Sequence, residues 1–228
     1  VNLYSILLTT YIQMIIDHQV SFIHATPNGD SLIAYMARVS NPANQDNHST
    51  APRLIKYLLD HNHYSPFEMV SMCLEINTTR SVAQQIIRHR SFSFQEFSQR
   101  YAVVNGAAVP NLRSQDTKNR QNSIDNLDPL QVHGFSYEIE QLYDQSFELY
   151  QRMLDNGVAK ECARDVLPLS SRTKLYMHGT LRSWYHYCQL RCDNGTQLEH
   201  KYIADQCKEQ ISLHFPACYE AMWSEETA

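Results

Sequence analysis

Apolar and polar positions change their rhythm several times along this chain, and each change marks an element. Val20-Ser-Phe-Ile-His-Ala-Thr26 is rich in strand formers and closes on Pro27-Asn28-Gly29, which predicts a strand running into a turn. Ser31–Val39 takes a helical rhythm, with Asp30 placed to cap it and Ser40-Asn41-Pro42 to stop it. Ser49–Asp60 predicts a second helix through Leu54, Leu58 and Leu59. From Phe67 the residues alternate: Val70, Met72, Leu74 and Ile76 fall on one face, and Met69, Ser71, Cys73 and Glu75 on the other, as in a strand. Thr78 or Thr79 then stands where an N-cap belongs. The stripe Val82, Ile86, Ile87 carries Arg88-His89-Arg90 to a helix-to-loop boundary.

The second half reads differently. Asn111–Asp128 is almost entirely polar and predicts a long surface loop, of a length that is usually functional or disordered. Helical stretches follow at Phe135–Asp155, ended by Asn156-Gly157, at Ala159–Val166 before Pro168, and at Arg172–Arg191 before Asp193-Asn194-Gly195. A last helix covers Gln197–His214 and continues past Pro216. The aromatic spacing Tyr143, Phe147, Tyr150 reads as core or subunit contact rather than a stacking platform. The expected class is α+β: one domain with an antiparallel or mixed sheet packed by helices, helix-rich in its C-terminal half and without internal repeats.

At 228 residues, 43% hydrophobic and 19% charged, the chain has enough apolar surface for one sizeable core. A net charge of -5 argues against a general nucleic-acid binder, so any anion site must be local. The six cysteines are scattered, and only Cys188 and Cys192 are close, on one helix face with no second pair to complete a metal site. Reduced thiols in a cytoplasmic protein are the expectation. Leu3–Leu8 and Met14–Ile16 are apolar, but Thr9, Thr10, Gln13 and Asp17 interrupt them, leaving a stretch too short and polar for a membrane span and without signal-peptide features. Residues 1–19 are expected to form an extension of unknown role, and 20–228 the catalytic domain.

The six glycines form neither a dinucleotide fingerprint nor a P-loop, and no nucleophile elbow or H-E-x-x-H helix occurs. What stands out is Gln85 to Tyr101, where three arginines, one histidine, one glutamate and three serines share 17 residues. Guanidinium groups bind phosphate or planar carbonyl systems in bidentate fashion, hydroxyls and backbone N–H groups complete an anion cradle, and a carboxylate accepts from ribose or ring N–H. A phosphorylated planar ligand suits that set. A solvated charged helix end, its arginines paired with surface carboxylates, accounts for the same residues. So does a single-stranded nucleic-acid-binding module using the arginines and phenylalanines of 88–101.

The same run resembles the flavin-dependent thymidylate synthases. Arg88-His89-Arg90, seven residues and Ser98 match that family's R-H-R-x7-S motif, and Glu96, Arg100 and Tyr101 its E-x-S-x-R-Y continuation. His61-Asn62-His63-Tyr64-Ser65-Pro66-Phe67-Glu68 is similar to the family's H-x-H-x-S/T-P-F-E segment, and Ala37-Arg38-Val39-Ser40 to its A-R-x-S segment. Ala163-Arg164-Asp165-Val166-Leu167-Pro168 resembles its A-R-x-x-L-P block, and Leu181-Arg182-Ser183-Trp184 with Leu190-Arg191 its L-R-S-W…L-R helix. The likeness runs from about Val20 to the C-terminus.

The resemblance implies reductive methylation of dUMP to dTMP, with methylenetetrahydrofolate as carbon donor and FAD, reduced by NADPH, as hydride source, in a homotetramer whose active sites are shared between subunits. It implies that Ser65, Arg88, His89, Arg90, Ser91, Glu96, Thr180, Leu181, Arg182 and His186 contact FAD. Gln85, Arg88, Glu96, Ser98, Gln99, Arg100, Arg164 and Arg191 would hold dUMP. Arg191 is the expected catalytic residue, a fixed cation beside a uracil that gains negative charge; its competing role is to serve its own helix C-terminus. Ser98 is expected to bind rather than attack, since no base is linked to it. His63 is expected to face flavin or folate, or else to be a buried hydrogen-bonded histidine. Neither a metal nor a membrane partner is implied. Thr180 and His186 stand where some relatives have asparagine, and Gln99 where glycine is common, a change that a required positive φ would not tolerate. Arg113, Gln115, Lys118, Asn119, Arg120 and Gln121 form a pattern shared with relatives, consistent with a lid or a solvated loop.

Overall fold

Two nine-residue strands pair over their whole length at the centre of the molecule, and everything that positions the site follows from that pairing. The computed structural model describes residues 17–223. Its main sheet has four strands in the order β1-β2-β6-β3, where β1 is Gln19–Ala25, β2 Ser71–Thr79, β3 Ser93–Glu96 and β6 Arg172–Thr180, and every neighbouring pair is antiparallel. Two short strands, β4 (Ser114–Gln115) and β5 (Ser123–Ile124), form a separate ribbon. The helices are α1 (Gly29–Ala37), α2 (Ala51–Asp60), α3 (Arg80–Ile86), α4 (Pro129–Asp155), α5 (Lys160–Ala163), α6 (Leu181–Arg191), α7 (Leu198–His214) and α8 (Pro216–Trp223). The α+β class and the antiparallel sheet are as expected. Of the proposed extension over 1–19, residues 1–16 lie outside the described residues, and Gln19 already belongs to β1.

The β2–β6 register runs from Ser71↔Thr180 to Thr79↔Arg172. It places Met72 opposite Gly179, Leu74 opposite Met177 and Ile76 opposite Leu175, all on the buried face. The other face carries Glu75, Asn77 and Lys174, joined by Lys174 Nζ to Glu75 Oε1 at 2.9 Å and Asn77 Nδ2 to Glu75 Oε1 at 3.1 Å. A one-residue slip would exchange these faces, so burial of the apolar row holds the register. Helices cover that row. Trp184 of α6 is fully buried and its indole N–H donates to the Met72 carbonyl at 3.1 Å, which satisfies its one donor.

Residues 172–180 correct the helical expectation for Arg172–Arg191. Thr173, Leu175, Met177 and Gly179 are buried while Arg172, Lys174 and Tyr176 are exposed, a period of two. Only Leu181, Trp184, Tyr187 and Cys188 carry a helical stripe. Two further corrections concern ends. Helix α4 starts at Pro129, six positions before Phe135, with the Asp128 carboxylate accepting from Leu130 N–H. The last helix does not run through Pro216: proline disfavours the helical region for the residue before it, Phe215 sits at φ -138°, ψ 60°, and α8 begins anew.

Asp30 is a cap, but not of its own helix. It lies inside the first turn of α1, and its carboxylate accepts from Ala217 N–H (2.9 Å) and Cys218 N–H (3.2 Å), the free donors at the start of α8. Phe215 has no side-chain acceptor to do this locally. Two helix stops follow local chemistry. Asn62 (φ 58°) ends α2 with His63 N–H to Leu58 C=O (2.8 Å) and Asn62 N–H to Leu59 C=O (3.0 Å). Gly157 (φ 80°) ends α4 with Val158 N–H to Met153 C=O (2.9 Å) and Gly157 N–H to Leu154 C=O (3.0 Å). Both are Schellman geometries, which need a left-handed residue that Asn and Gly tolerate.

Candidate active site

Thr180 closes β6 and opens α6 at once, its side chain accepting from Ser183 N–H at 3.3 Å. Eleven residues later α6 delivers Arg191, whose Nε donates to Nε2 of His89 at 2.9 Å. The bond joins the last turn of α6 to the turn after α3, where Arg88-His89-Arg90 sits. An imidazole that accepts at Nε2 must carry its proton on Nδ1, so His89 is neutral here. Burial, and then the Arg191 charge, lower its pKa to about 4. No carboxylate pairs with Arg191 among the described residues, so a fixed cation faces a neutral ring. Its guanidinium is directed at His89 rather than at its own helix end.

Tyr187, one turn before Arg191, is the hub of this group. The His89 ring meets it edge-on at 4.9 Å, and its hydroxyl lies 3.1 Å from Nε2 of the fully buried His200. His200 Nδ1 is 3.4 Å from Gln85 Oε1 on α3, and Gln85 Nε2 donates to Gln197 Oε1 at 2.6 Å. Burial first, then Arg191 and His89, lower the pKa of His200 to about 3. Gln197 continues to Glu199, which Arg113 holds by two bonds of 2.8 and 3.1 Å.

A second group lies at the start of α6. Arg182 pairs with Glu68 and stands over the Tyr64 ring at 5.6 Å, and His186 meets the same ring edge-on at 5.1 Å. Ser65 opens the 3-10 turn Ser65–Glu68 and is exposed. Ser183 Oγ donates to the Ser91 carbonyl at 3.1 Å, tying the arginine-rich turn to α6. Leu181 is fully buried and its N–H donates to the Val70 carbonyl at 3.0 Å, which leaves none of its surface open to a ligand. Arg88 and Arg90 are exposed and form no ion pair among the described residues.

The third group sits apart. Arg100 pairs with the Glu161 carboxylate at 3.1 Å, and Arg164 Nε donates to the Glu161 carbonyl at 3.3 Å. Ser98 Oγ accepts from Arg100 N–H at 3.3 Å, and no base contacts it. Gln99 is buried, its Nε2 without a hydrogen-bond partner, and its φ is not positive, so the change from glycine imposes no backbone strain. Glu96 accepts from Thr173 Oγ1 at 3.1 Å. Among the described residues no hydrogen bond or ion pair joins Ser98, Arg100 or Arg164 to Gln85 or Arg191.

Several expectations change. His63 is exposed, which removes its buried alternative, and the His61–His63 stretch is the stop of α2. Arg38 is buried and bonded to the Asn47 carbonyl and to Thr50 Oγ1 (2.7 Å), a tie for the turns before α2. The 111–128 segment contains the β4–β5 ribbon, with Asp116 Oδ1 accepting from Lys118 N–H at 2.8 Å and Arg113 Nε donating to Ser123 at 2.8 Å. β3 lay unrecognised inside the polar run. The sequence reading missed Tyr187, Gln197, Glu199 and His200; Gln197-x-Glu199-His200 at the start of α7 was the available signal. A cavity of about 740 Å³ lies between residues 106–113, the first half of α4 and Glu199. It is lined by Arg113, Gln197 and Glu199 but by none of residues 85–101, so volume does not mark the arginine-rich turn. Among the described residues no group of three or more His, Cys, Asp or Glu could hold a metal ion, and no helix is long and apolar enough to cross a membrane.

Residues 21–217 match the family described as thymidylate synthase complementing protein. The chain is 52% identical over 194 residues to the "Probable flavin-dependent thymidylate synthase" of Paramecium bursaria Chlorella virus 1, covering 85% of this chain and 90% of that one. It is 47% identical over 193 residues to the flavin-dependent thymidylate synthase of Synechocystis sp., covering 85% and 89%. Its fold is similar to the crystal structure of the UMP/dUMP methylase PolB from Streptomyces cacaoi bound with 5-Br dUMP, with a TM-score of 0.81 and 29% identity over 91% of this chain and 95% of that one.

Proposed function

This chain belongs to the flavin-dependent thymidylate synthase family, and from that premise we propose that it converts dUMP to dTMP with FAD, NADPH and methylenetetrahydrofolate, using Arg191 to activate the uracil. The observation that carries the Arg191 assignment is its bond to neutral His89 with no carboxylate partner. A guanidinium is charged at any working pH, and one not neutralised by an anion keeps its field for charge that develops on a bound ring. His89 orients it without cancelling it.

The donors fit a flavin dinucleotide. Arg88, Arg90 and Arg182 are exposed cations flanking Ser91 and His186, a set suited to a pyrophosphate, with Ser65 and Glu96 at its borders. When bound, FAD supplies the hydride that reduces the transferred one-carbon unit, and NADPH restores it. Ser98, Gln99, Arg100 and Arg164 suit the phosphate end of dUMP; an incoming phosphate would take the place of the Glu161 carboxylate on Arg100. Gln85, Arg88 and Arg191 suit the uracil end. Because no hydrogen bond or ion pair joins these two sets among the described residues, we assign them to opposite sides of an interface, as in a homotetramer with shared sites. A cytoplasmic location goes with this reading.

No protein thiol is asked to attack the uracil. Burial pushes the thiols of Cys188 and Cys207 well above the ordinary range and that of Cys218 in the same direction, which leaves them protonated and inert. The test is the visible spectrum of the purified protein, with and without dUMP. Flavin bands that dUMP perturbs are expected, together with NADPH oxidation that yields dTMP only when methylenetetrahydrofolate is present. Colourless protein that takes up no added FAD would end this reading.

A further inference from the structure

We propose that His200 is a positioning residue that locks the side-chain amide of Gln85 in one orientation, presenting its N–H to the bound nucleotide as a hydrogen-bond donor. The inference rests on the reading of Gln85 as a nucleotide ligand. It follows from the direction of a hydrogen-bond relay that the sequence alone did not suggest.

The direction is set at the anionic end. Glu199 is an acceptor only, fixed by the two bonds from Arg113, and it is almost fully buried with its arginine at 10% side-chain exposure each. Gln197 must therefore turn its NH2 group to Glu199 (2.9 Å) and its carbonyl oxygen to Gln85. Gln85 must then donate to that oxygen (2.6 Å), which turns its own carbonyl to His200. His200 answers with a proton on Nδ1 (3.4 Å), so its Nε2 is an acceptor and the Tyr187 O–H donates to it (3.1 Å). The donors and acceptors all run in one consistent sense. The relay reads Tyr187 to His200 to Gln85 to Gln197 to Glu199, against the Arg113 anchor.

An amide free to flip can offer a ligand either an acceptor or a donor. Here one lone pair of the oxygen and one N–H of Gln85 are spoken for, and the second N–H is the donor left to meet a ligand. It suits a carbonyl or sugar oxygen of a nucleotide and not a donor. His200 stays neutral across the working range because it is buried beside Arg191, so the proton on Nδ1 does not come and go. His200 has no side-chain surface of its own for the ligand to touch, being fully buried. Its influence passes through Gln85.

Two substitutions separate the two ring nitrogens. Asparagine places its amide near the Nδ1 position and retains a donor for Gln85; glutamine reaches toward the Nε2 position and serves Tyr187 instead. With the flavin-loaded enzyme, dUMP binding is measured by equilibrium dialysis, and KM and kcat by dTMP formation. His200→Gln is expected to raise the Kd and KM for dUMP about 3–10-fold with kcat little changed, the loss of one hydrogen bond of about 1 kcal/mol, while His200→Asn stays within about 2-fold of wild type. The effect of His200→Gln should vanish in a Gln85→Ala background, because a residue acting through Gln85 has nothing left to act on. Gln197→Leu breaks the relay at an exposed residue without risk to the core, and should behave as His200→Gln does in both backgrounds. Equal losses from Asn and Gln at 200, or effects that add to Gln85→Ala, would overturn the proposal while leaving the enzyme assignment intact. Wild-type protein that binds neither flavin nor dUMP would overturn the assignment instead.

Discussion

Thr79 and Thr180 hold equivalent places, yet the helices after them start in different ways. Each ends a nine-residue strand, each faces the first residue of the other strand, and each stands at the N-cap of a helix that leads to a charged site group. Thr180 caps by its own side chain, through Ser183 N–H. Thr79 does not: its hydroxyl bonds Ser81 Oγ at 2.8 Å, and the free N–H groups of Arg80 and Ser81 go to the carbonyls of Ser171 (2.9 Å) and Leu169 (3.1 Å). Both helices have their first N–H taken by distant chain, Arg80 by Ser171 and Leu181 by Val70, but only α6 adds a local side-chain cap. The start of α6, and with it Arg191, is therefore fixed in part by its own sequence, whereas the start of the helix leading to Arg88-His89-Arg90 depends on how 169–171 enters β6.

The largest effect should come from the end of the locally capped helix. Arg191→Ala is expected to lower turnover by about 10²–10³-fold, in the range for losing one preorganised charge or donor, with flavin absorbance retained. Steady-state dTMP formation and the visible spectrum check it, and persistent turnover would move the catalytic role elsewhere.

Next is Gly179, one residue before Thr180. A Cβ there would lie 2.4 Å from the Phe92 ring, which forms the bridge between the arginine turn and β6. Gly179→Ala should cost about 1–3 kcal/mol by overpacking, read as a lowered urea midpoint. An unchanged midpoint would mean that Phe92 can move aside and that the two junctions are less tightly coupled than the packing implies.

Acid should weaken the meeting point of the two helices. His89 and His200 have folded pKa values of about 4 and about 3 against 6.5 for the free side chain. The unfolded chain therefore binds protons that the folded chain does not. Stability is full above pH 6.5 and falls as pH drops through the folded values. Each histidine contributes a slope of up to about 1.4 kcal/mol per pH unit in that window. Urea unfolding at pH 7, 6 and 5 should show a shallower fall for His200→Asn than for wild type; parallel slopes would remove His200 from the account.

The smallest effect bears most directly on the comparison. Thr180→Ala should destabilise by about 1 kcal/mol, as for other lost N-caps, while Thr79→Ala should cost distinctly less because backbone carbonyls already satisfy that helix start. Equal losses in thermal or urea melts would erase the distinction between the two junctions.

The same pair shows what could be read in advance. β2 announced itself because its apolar residues alternate between a turn-rich segment and a threonine cap. β6 alternates as regularly and also ends on a threonine cap, but the helical stripe Leu181, Trp184, Tyr187 drew the helix prediction back over it. β3 was hidden because an edge strand of four residues with Ser93 and Gln95 exposed has no apolar signature. Asp30 was expected to cap its own helix, and its true client, α8, lies some 187 residues away.

The sequence by itself determined the family, through ordered blocks whose residue types and spacing few other chains would share, and it determined most helices and the first two main-sheet strands, because periodicity is a local property. Only the tertiary structure decided partners. His89 and Arg191 are 102 positions apart, and their contact exists because β2 and β6 pair in a register that buries one apolar row and sends their helices to a common place. The relay from Arg113 to Tyr187 is likewise spread over four segments. Hydrogen-bond direction along it depends on which acceptor is anionic and buried, and burial is settled only when the chain is folded.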